Sequence, residues 1–276
     1  MSNREKEPQR FAFGENWRLF LASLSDERIS AAQRSLTRAL DGVTWNGARF
    51  LDVGCGSGLF SLVARRLGAR VLSFDYDPQS VACTREIRRR THPEDPDWVV
   101  VEGSVLDEEF LRGLGEFDVV YAWGSLHHTG DLWHATGNVV KRVRPGGTLL
   151  VSIYNDQGWR SSCWTWIKRF YNRLPPAFRF VVLVPVFVRL WAPRLVIDFL
   201  RLRPFHTWKS YGDDRGMTPW RNVIDWVGGY PFEVAKPEAV FEYHRLRGFE
   251  LRYLKTCGGG HGCNEFAFRK LQAPHA

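Results

Sequence analysis

The sequence predicts an α/β fold: a doubly wound, mostly parallel seven-stranded sheet closed by an antiparallel terminal hairpin. Three observations carry that expectation. The apolar run Arg49 to Val53 leads into Gly54-Cys55-Gly56-Ser57-Gly58. Leu59, Phe60, Leu62, Val63 and Leu67 follow at three-to-four spacing, so the stretch reads as strand, tight turn, helix. Strand-like and helix-period runs then alternate as far as residue 154, the pattern of parallel strands joined by crossover helices. Near the C-terminus two strand-like runs are separated only by Cys257-Gly258-Gly259-Gly260-His261-Gly262-Cys263, a link suited to a hairpin.

Taken in order, residues 1–48 read as a tail and a helical cover. Met1 to Arg10 is polar and charged, without the apolar stretch of a secretory signal. Phe11 to Leu24 alternates aromatic and polar residues around Trp17, and a helix follows from about Asp26 to Leu40 with Ile29, Leu36, Ala39 and Leu40 on its apolar face. Residues 49–154 form the strand–helix core. Its second strand is Arg70 to Asp75, followed by a helix over 77–90 with Arg85, Arg88, Arg89 and Arg90 toward its end, where cations complement the dipole. The third strand, Trp98 to Glu102, ends at Gly103-Ser104. The fourth, Phe117 to Ala122, runs into Trp123-Gly124-Ser125-Leu126-His127-His128. A helix over 131–143, the turn Pro145-Gly146-Gly147 and a fifth strand, Thr148 to Tyr154, complete the core.

Residues 155–236 are an aromatic, basic insertion after the fifth strand. A helix over 161–174 puts Trp164, Ile167, Tyr171 and Leu174 on one side and leaves Lys168, Arg169, Asn172 and Arg173 largely off it, until Pro175-Pro176 stops it. Phe180 to Ala192 is mostly apolar but broken by Pro185 and Arg189, which is too short and interrupted to span a bilayer. Residues 237–276 supply a helix, Glu238 to Arg247, with Gly248 as its stop, and strands Phe249 to Lys255 and Glu265 to Arg269.

The net charge of +8 is unevenly placed: residues 141–203 hold twelve Lys and Arg against two acids. Five cysteines without a regular framework suit a reducing cytoplasm rather than a disulfide scaffold. Cys257, His261 and Cys263 are metal-ligand types, but their spacing is not a usual zinc pattern and no fourth ligand accompanies them, so no metal is expected.

The glycine turn lets the backbone approach a ligand with no Cβ in the way, and the helix behind it offers unpaired N–H groups. The spacing is Gly-x-Gly-x-Gly, neither a dinucleotide fingerprint nor a phosphate loop. Asp52 before the turn suits a cationic or hydroxylated ligand end and would repel a pyrophosphate. Asp75, at the tip of the second strand, suits the two hydroxyls of a ribose.

Leu51 to Gly58 resembles motif I of the class I S-adenosylmethionine (SAM) dependent methyltransferases. The acid-tipped second strand, the Pro-Gly-Gly turn and the terminal hairpin follow in the family's order. Within the family the core looks nearest to bacterial ubiquinone O-methyltransferases. The resemblance implies a Rossmann-like fold with SAM as cofactor. It would be held by Asp52, Gly54, Gly56, Gly58, Asp75, Tyr76 over the adenine, and Ser104, Val105 and Trp123. Ser104 stands where the family often has an acid.

It also implies a small-molecule acceptor bound beyond the tips of the strands, near Tyr154, Asn155 and Trp159, with methyl transfer to a hydroxyl or carboxylate oxygen. His127, His128 and His261 are the candidate bases. Two other readings attach to the insertion: peripheral contact with a membrane, acting on a polyprenyl quinone or lipid-linked sugar, or action on RNA or protein. Val181, Val182, Leu183, Val184, Val186 and Val188 interleave with the aromatics and argue for an apolar lining over a nucleic-acid track.

Overall fold

The computed structural model describes residues 24–208 and 219–272. The expected tail at 1–10 and the aromatic stretch as far as residue 23 lie outside them. Helix α1 (Asp26–Ala39) opens where the Ser25 hydroxyl accepts from the Arg28 N–H, with Asp26 and Glu27 in its first turn. Its buried stripe of Ile29, Ala32, Leu36 and Ala39 packs on the helix that follows the glycine turn, α2 (Leu59–Arg66).

Strands β1 (Arg49–Val53), β2 (Arg70–Asp75), β3 (Trp98–Glu102), β4 (Phe117–Trp123), β5 (Val143–Tyr154), β6 (Phe249–Lys255) and β7 (Cys263–Lys270) form one sheet in the order 3-2-1-4-5-7-6. All neighbours are parallel except β7, which runs antiparallel to β5 and β6. The chain leaves β1 for β2 on one side and returns to β4 on the other. The tips of β1 and β4 therefore border the crevice where such sheets bind ligands.

Alternation along the strands divides the core in two. Phe50, Val71, Val119 and Tyr121 face α1, α2 and α3 (Pro78–Thr91). Leu51, Val53, Val120 and Ala122 face α4 (Glu108–Leu114), α5 (Leu132–Val140) and α9 (Pro237–Arg245). Each large apolar side chain enclosed this way contributes roughly 1.5–3 kcal/mol.

The Pro145-Gly146-Gly147 segment, expected to precede β5, lies inside it. The register moves from Phe117 opposite Val143 to Val119 opposite Thr148, so the segment forms an irregularity that Gly146 permits with φ of +75°.

The insertion is helical: α6 (Trp159–Arg173), α7 (Phe180–Leu200) and α8 (Pro219–Gly228). Tyr171, Leu183, Val186, Trp191, Val223 and Val227 give it a small core of its own. Its return to the sheet is pinned by a bridge between Asn155 and Ala235, with the Ala235 N–H donating to the Tyr154 carbonyl at 3.0 Å.

Two expectations are corrected here. The apolar run does not end near Ala192. It continues as one helix to Leu200 through Pro185 and Pro193, and by length and composition the run Pro176–Leu200 could cross a membrane. Lys168 and Asn172 do not lie off the buried side of α6, because both are enclosed where α8 packs against it.

Candidate active site

The turn after β1 is shaped by three left-handed glycines, Gly54, Gly56 and Gly58, with φ of +74°, +52° and +79°. A Cβ on Gly54 would collide with Ser125, whose hydroxyl donates to the Val53 carbonyl at 2.7 Å. A Cβ on Gly58 would lie 2.9 Å from Thr84. The turn is thus locked between the loop after β4 and helix α3.

Asp75 ends β2 beside this turn, accepting from the N–H of Gly56 at 3.0 Å and of Asp77 at 2.9 Å. Burial raises its pKa to about 6 against those two hydrogen bonds, leaving a carboxylate at neutral pH. Tyr76 beside it is largely exposed. A half-buried carboxylate at a strand tip, a flat ring next to it and an open glycine turn fit the ribose, base and amino-acid ends of SAM.

Asp52 is placed differently from its partner acid. It is buried beneath the turn, accepting from the Ser61 hydroxyl, which meets Ser73 Oγ at 2.6 Å. Trp98 Nε1 donates to Ser73 at 3.0 Å. Burial raises its pKa to about 7, and the nearby Asp75 charge adds to that. Its first task is therefore to tie β1 to α2 and β2 under the turn.

At the tips of β4 and β5 the aromatic rings gather. The ring of His127 lies 3.9 Å from that of Tyr154, and His128 lies 5.5 Å from it. Trp226 of α8 and Phe232 close over Tyr154 at 5.4 and 5.1 Å. His128 Nδ1 donates to the Pro231 carbonyl at 2.7 Å, and burial lowers its pKa to about 4. His127 is fully enclosed. Burial above all, and the charges of His128 and Lys168, hold its pKa well below the ordinary value. Its Nδ1 has no hydrogen-bond partner among the described residues. His261 reaches the same cluster from the hairpin link, 5.6 Å from Trp164 and 5.7 Å from Trp226.

The remaining sequence-derived residues divide. Asn155 braces the hairpin link, donating to the Gly260 carbonyl at 3.3 Å and accepting from Asn264 at 3.1 Å. The Ser104 hydroxyl accepts from the Leu106 N–H, and the Val105 carbonyl accepts from Asn138, so both shape the turn after β3. Trp123 turns toward α1, lining with Tyr121 and Phe60 a cavity of about 90 Å³. Trp159 is 72% exposed, over Arg160, and joins neither the histidines nor Tyr154.

Sequence reasoning missed Lys168. It is buried from α6 into the aromatic cluster, and nothing local in the sequence marked it. It also missed Glu233, whose carboxylate accepts from the Gly130 and Leu132 N–H groups and fixes the loop carrying the histidines.

Among the described residues no group of three or more His, Cys, Asp or Glu could hold a metal ion.

A methyltransferase domain family matches residues 51–149. The ubiquinone biosynthesis O-methyltransferase of Xanthomonas campestris pv. campestris is 28% identical over 186 residues, covering 64% of this chain and 69% of that protein. The enzyme of the same name from Methylocella silvestris is 31% identical over 156 residues, covering 56% of this chain and 52% of the relative.

Among solved structures, magnesium protoporphyrin IX methyltransferase from Synechocystis PCC 6803, with bound SAH, superposes with a TM-score of 0.56 at 11% identity, covering 93% of both chains. An O-methyltransferase family protein from Burkholderia thailandensis gives 0.54 at 15% identity, over 89% of this chain and 58% of that one. At those identities the structures speak for the fold. A sheet reversing between β1 and β4, a glycine turn made for close approach and a matching methyltransferase domain agree on one family. Residues 51–149 carry a methyltransferase domain, and the fold and the similar enzymes support a class I, Rossmann-like SAM-dependent methyltransferase.

Proposed function

We propose that the chain methylates an oxygen, hydroxyl or carboxylate, of a small metabolite bound between the tips of β4 and β5 and the helical insertion. The observation that carries this is the ring cluster of His127, Tyr154, Trp226 and Phe232, with the unpartnered His127 Nδ1 inside it. The names of the similar ubiquinone O-methyltransferases support the choice of oxygen.

Bound SAM supplies a methyl on a sulfonium, which needs an aligned nucleophile more than it needs activation. Asp75 and the glycine turn orient the nucleoside, and Tyr154 and Trp226 flank the acceptor and exclude water. Alignment of this kind is worth roughly 7–11 kcal/mol at best. For a hydroxyl acceptor, His127 Nδ1 is the group placed to take the proton. A carboxylate needs no base. Incubation with isotopically labelled SAM and a metabolite panel, read by mass spectrometry, tests the reading. Label recovered only on nitrogen, carbon, RNA or protein overturns it.

The outer face of α7 favours a second reading, in which this chemistry runs at a membrane surface on a lipid-linked acceptor. Val181, Val184, Val188 and Val196 leave an apolar stripe in solvent, and Phe199 and Leu200 are 72% and 74% exposed. Arg189, Arg194, Arg201 and Arg203 flank it. Apolar side chains edged by arginines match an anionic bilayer interface. Flotation with phosphatidylglycerol vesicles at low salt tests this: Val188→Glu together with Leu200→Glu abolishes binding. Wild-type protein that stays unbound, or that binds RNA instead, overturns it.

A further inference from the structure

Lys168 is the residue that the fold leaves unexplained. It has no exposed surface, and its Nζ donates to the Trp226 carbonyl near the end of α8. The ammonium lies 4.3 Å from the centre of the Trp226 ring and 4.6 Å from that of Phe232. Asn172, one turn along α6, donates to the Gly228 carbonyl at 2.8 Å, so the pair caps the C-terminus of α8. A neutral amide does that work at Gly228. Capping alone therefore does not call for a buried ammonium, which is costly without a counter-ion.

No counter-ion among the described residues is in contact with it. Among the described residues no carboxylate lies within ion-pair distance of Lys168, and Asp225 acts on it only through its longer-range charge. The other ionisable groups that feel its charge are His127 and His128 from the loop after β4 and His261 from the hairpin link. None of these is an acid.

A second deficit lies in the same cluster. The indole Nε1–H of Trp226, a donor only, is buried with no acceptor among the described residues. One ammonium thus lacks a negative partner and one N–H lacks an acceptor, on rings that pack around Tyr154. A single anionic oxygen would satisfy both.

We propose that this cluster recognises the methyl acceptor and that the acceptor is an anionic aromatic compound. Its negative oxygen is held by Lys168 and Trp226 Nε1, and its ring lies among Tyr154, Trp226 and Phe232. The inference rests on the reading that the acceptor binds at the tips of β4 and β5. It accounts for a feature that base catalysis does not: the two histidines nearest the site have pKa values held far below neutrality, poorly suited to removing a proton. An acceptor that arrives ionised needs no strong base.

Calorimetry in the presence of S-adenosylhomocysteine, with benzoate, 3-hydroxybenzoate and indole-3-acetate each set against its methyl ester, tests the proposal. At least one acid is expected to bind tenfold or more tightly than its ester. That preference should shrink as pH rises from 6 to 9 and Lys168 loses its proton. Lys168→Met should remove the preference with S-adenosylhomocysteine affinity kept, and Lys168→Arg should retain it. Equal binding of acids and esters, an unchanged preference in Lys168→Met, or no binding of any acid by protein that does bind S-adenosylhomocysteine overturns the proposal. If the Met variant does not fold, the wild-type pH series decides alone. Wild-type protein that fails to bind S-adenosylhomocysteine instead strikes the cofactor reading, and the proposal falls with it.

Discussion

Replacing Lys168 by Met should make the protein more stable at neutral pH while disabling recognition of the acceptor. Burial lowers the Lys168 pKa from 10.5 to about 7, with the Asp225 charge opposing the fall only in part. Each tenfold change in proton affinity corresponds to about 1.4 kcal/mol, so the buried amine destabilises the fold by up to about 5 kcal/mol at pH 7 and below. Met fills the same space and forfeits the hydrogen bond to the Trp226 carbonyl, leaving an acceptor whose loss costs about 1–3 kcal/mol. The net expectation is a gain of up to roughly 2–4 kcal/mol.

The sign of the pH dependence follows from the lowered pKa. Between pH 7 and 10.5 the unfolded chain binds a proton that the folded chain does not, so wild-type stability rises with pH across that window. The Met variant lacks this slope. Urea unfolding at pH 6, 7, 9 and 10.5 should therefore show the variant ahead at low pH and level or behind at the top. A variant less stable than wild type at pH 6 and 7, with the two curves parallel up to pH 10, would refute the reasoning.

Three further outcomes are expected. Because burial raises the Asp75 pKa to about 6, acidification below that point protonates the carboxylate. SAM binding should weaken about tenfold per pH unit there, and Asp75→Asn should weaken it at least tenfold at every pH, read by calorimetry. Gly58→Ala forces a Cβ into a left-handed backbone 2.9 Å from Thr84, and should lower the stability read by urea unfolding by about 1–3 kcal/mol. His127→Ala and His128→Ala should each cost less than about tenfold in kcat. A loss of about 10²-fold with SAM affinity intact would make that histidine a base and the acceptor a hydroxyl.

What the sequence made legible is what short-range chemistry dictates. Gly54, Gly56 and Gly58 announce their turn because only glycine takes those angles cheaply. Asp75 ends a strand whose length and alternation are local properties, and the Gly-rich link 257–263 leaves β6 and β7 no route but a hairpin. The end of α7 was less legible. Pro185 and Arg189 read as breaks and the apolar run as ending at Ala192, yet Pro185 and Pro193 are both exposed, as are Val181 and Arg189, whose carbonyls the prolines leave without their helical partner. Water can meet those carbonyls, so the helix continues to Leu200.

Lys168 was illegible for another reason. Helical spacing assigned it to the polar side of α6, and that side became interior only when α8 folded back from more than fifty residues away. No local rule favours an ammonium there, and the packing around it, two aromatic rings and a helix end, would accept Met at lower energy. A position where the chain keeps a charge that folding disfavours is one where something other than folding set the residue. The Trp226 N–H beside it, without an acceptor among the described residues, is the reason for proposing a ligand that brings a negative charge.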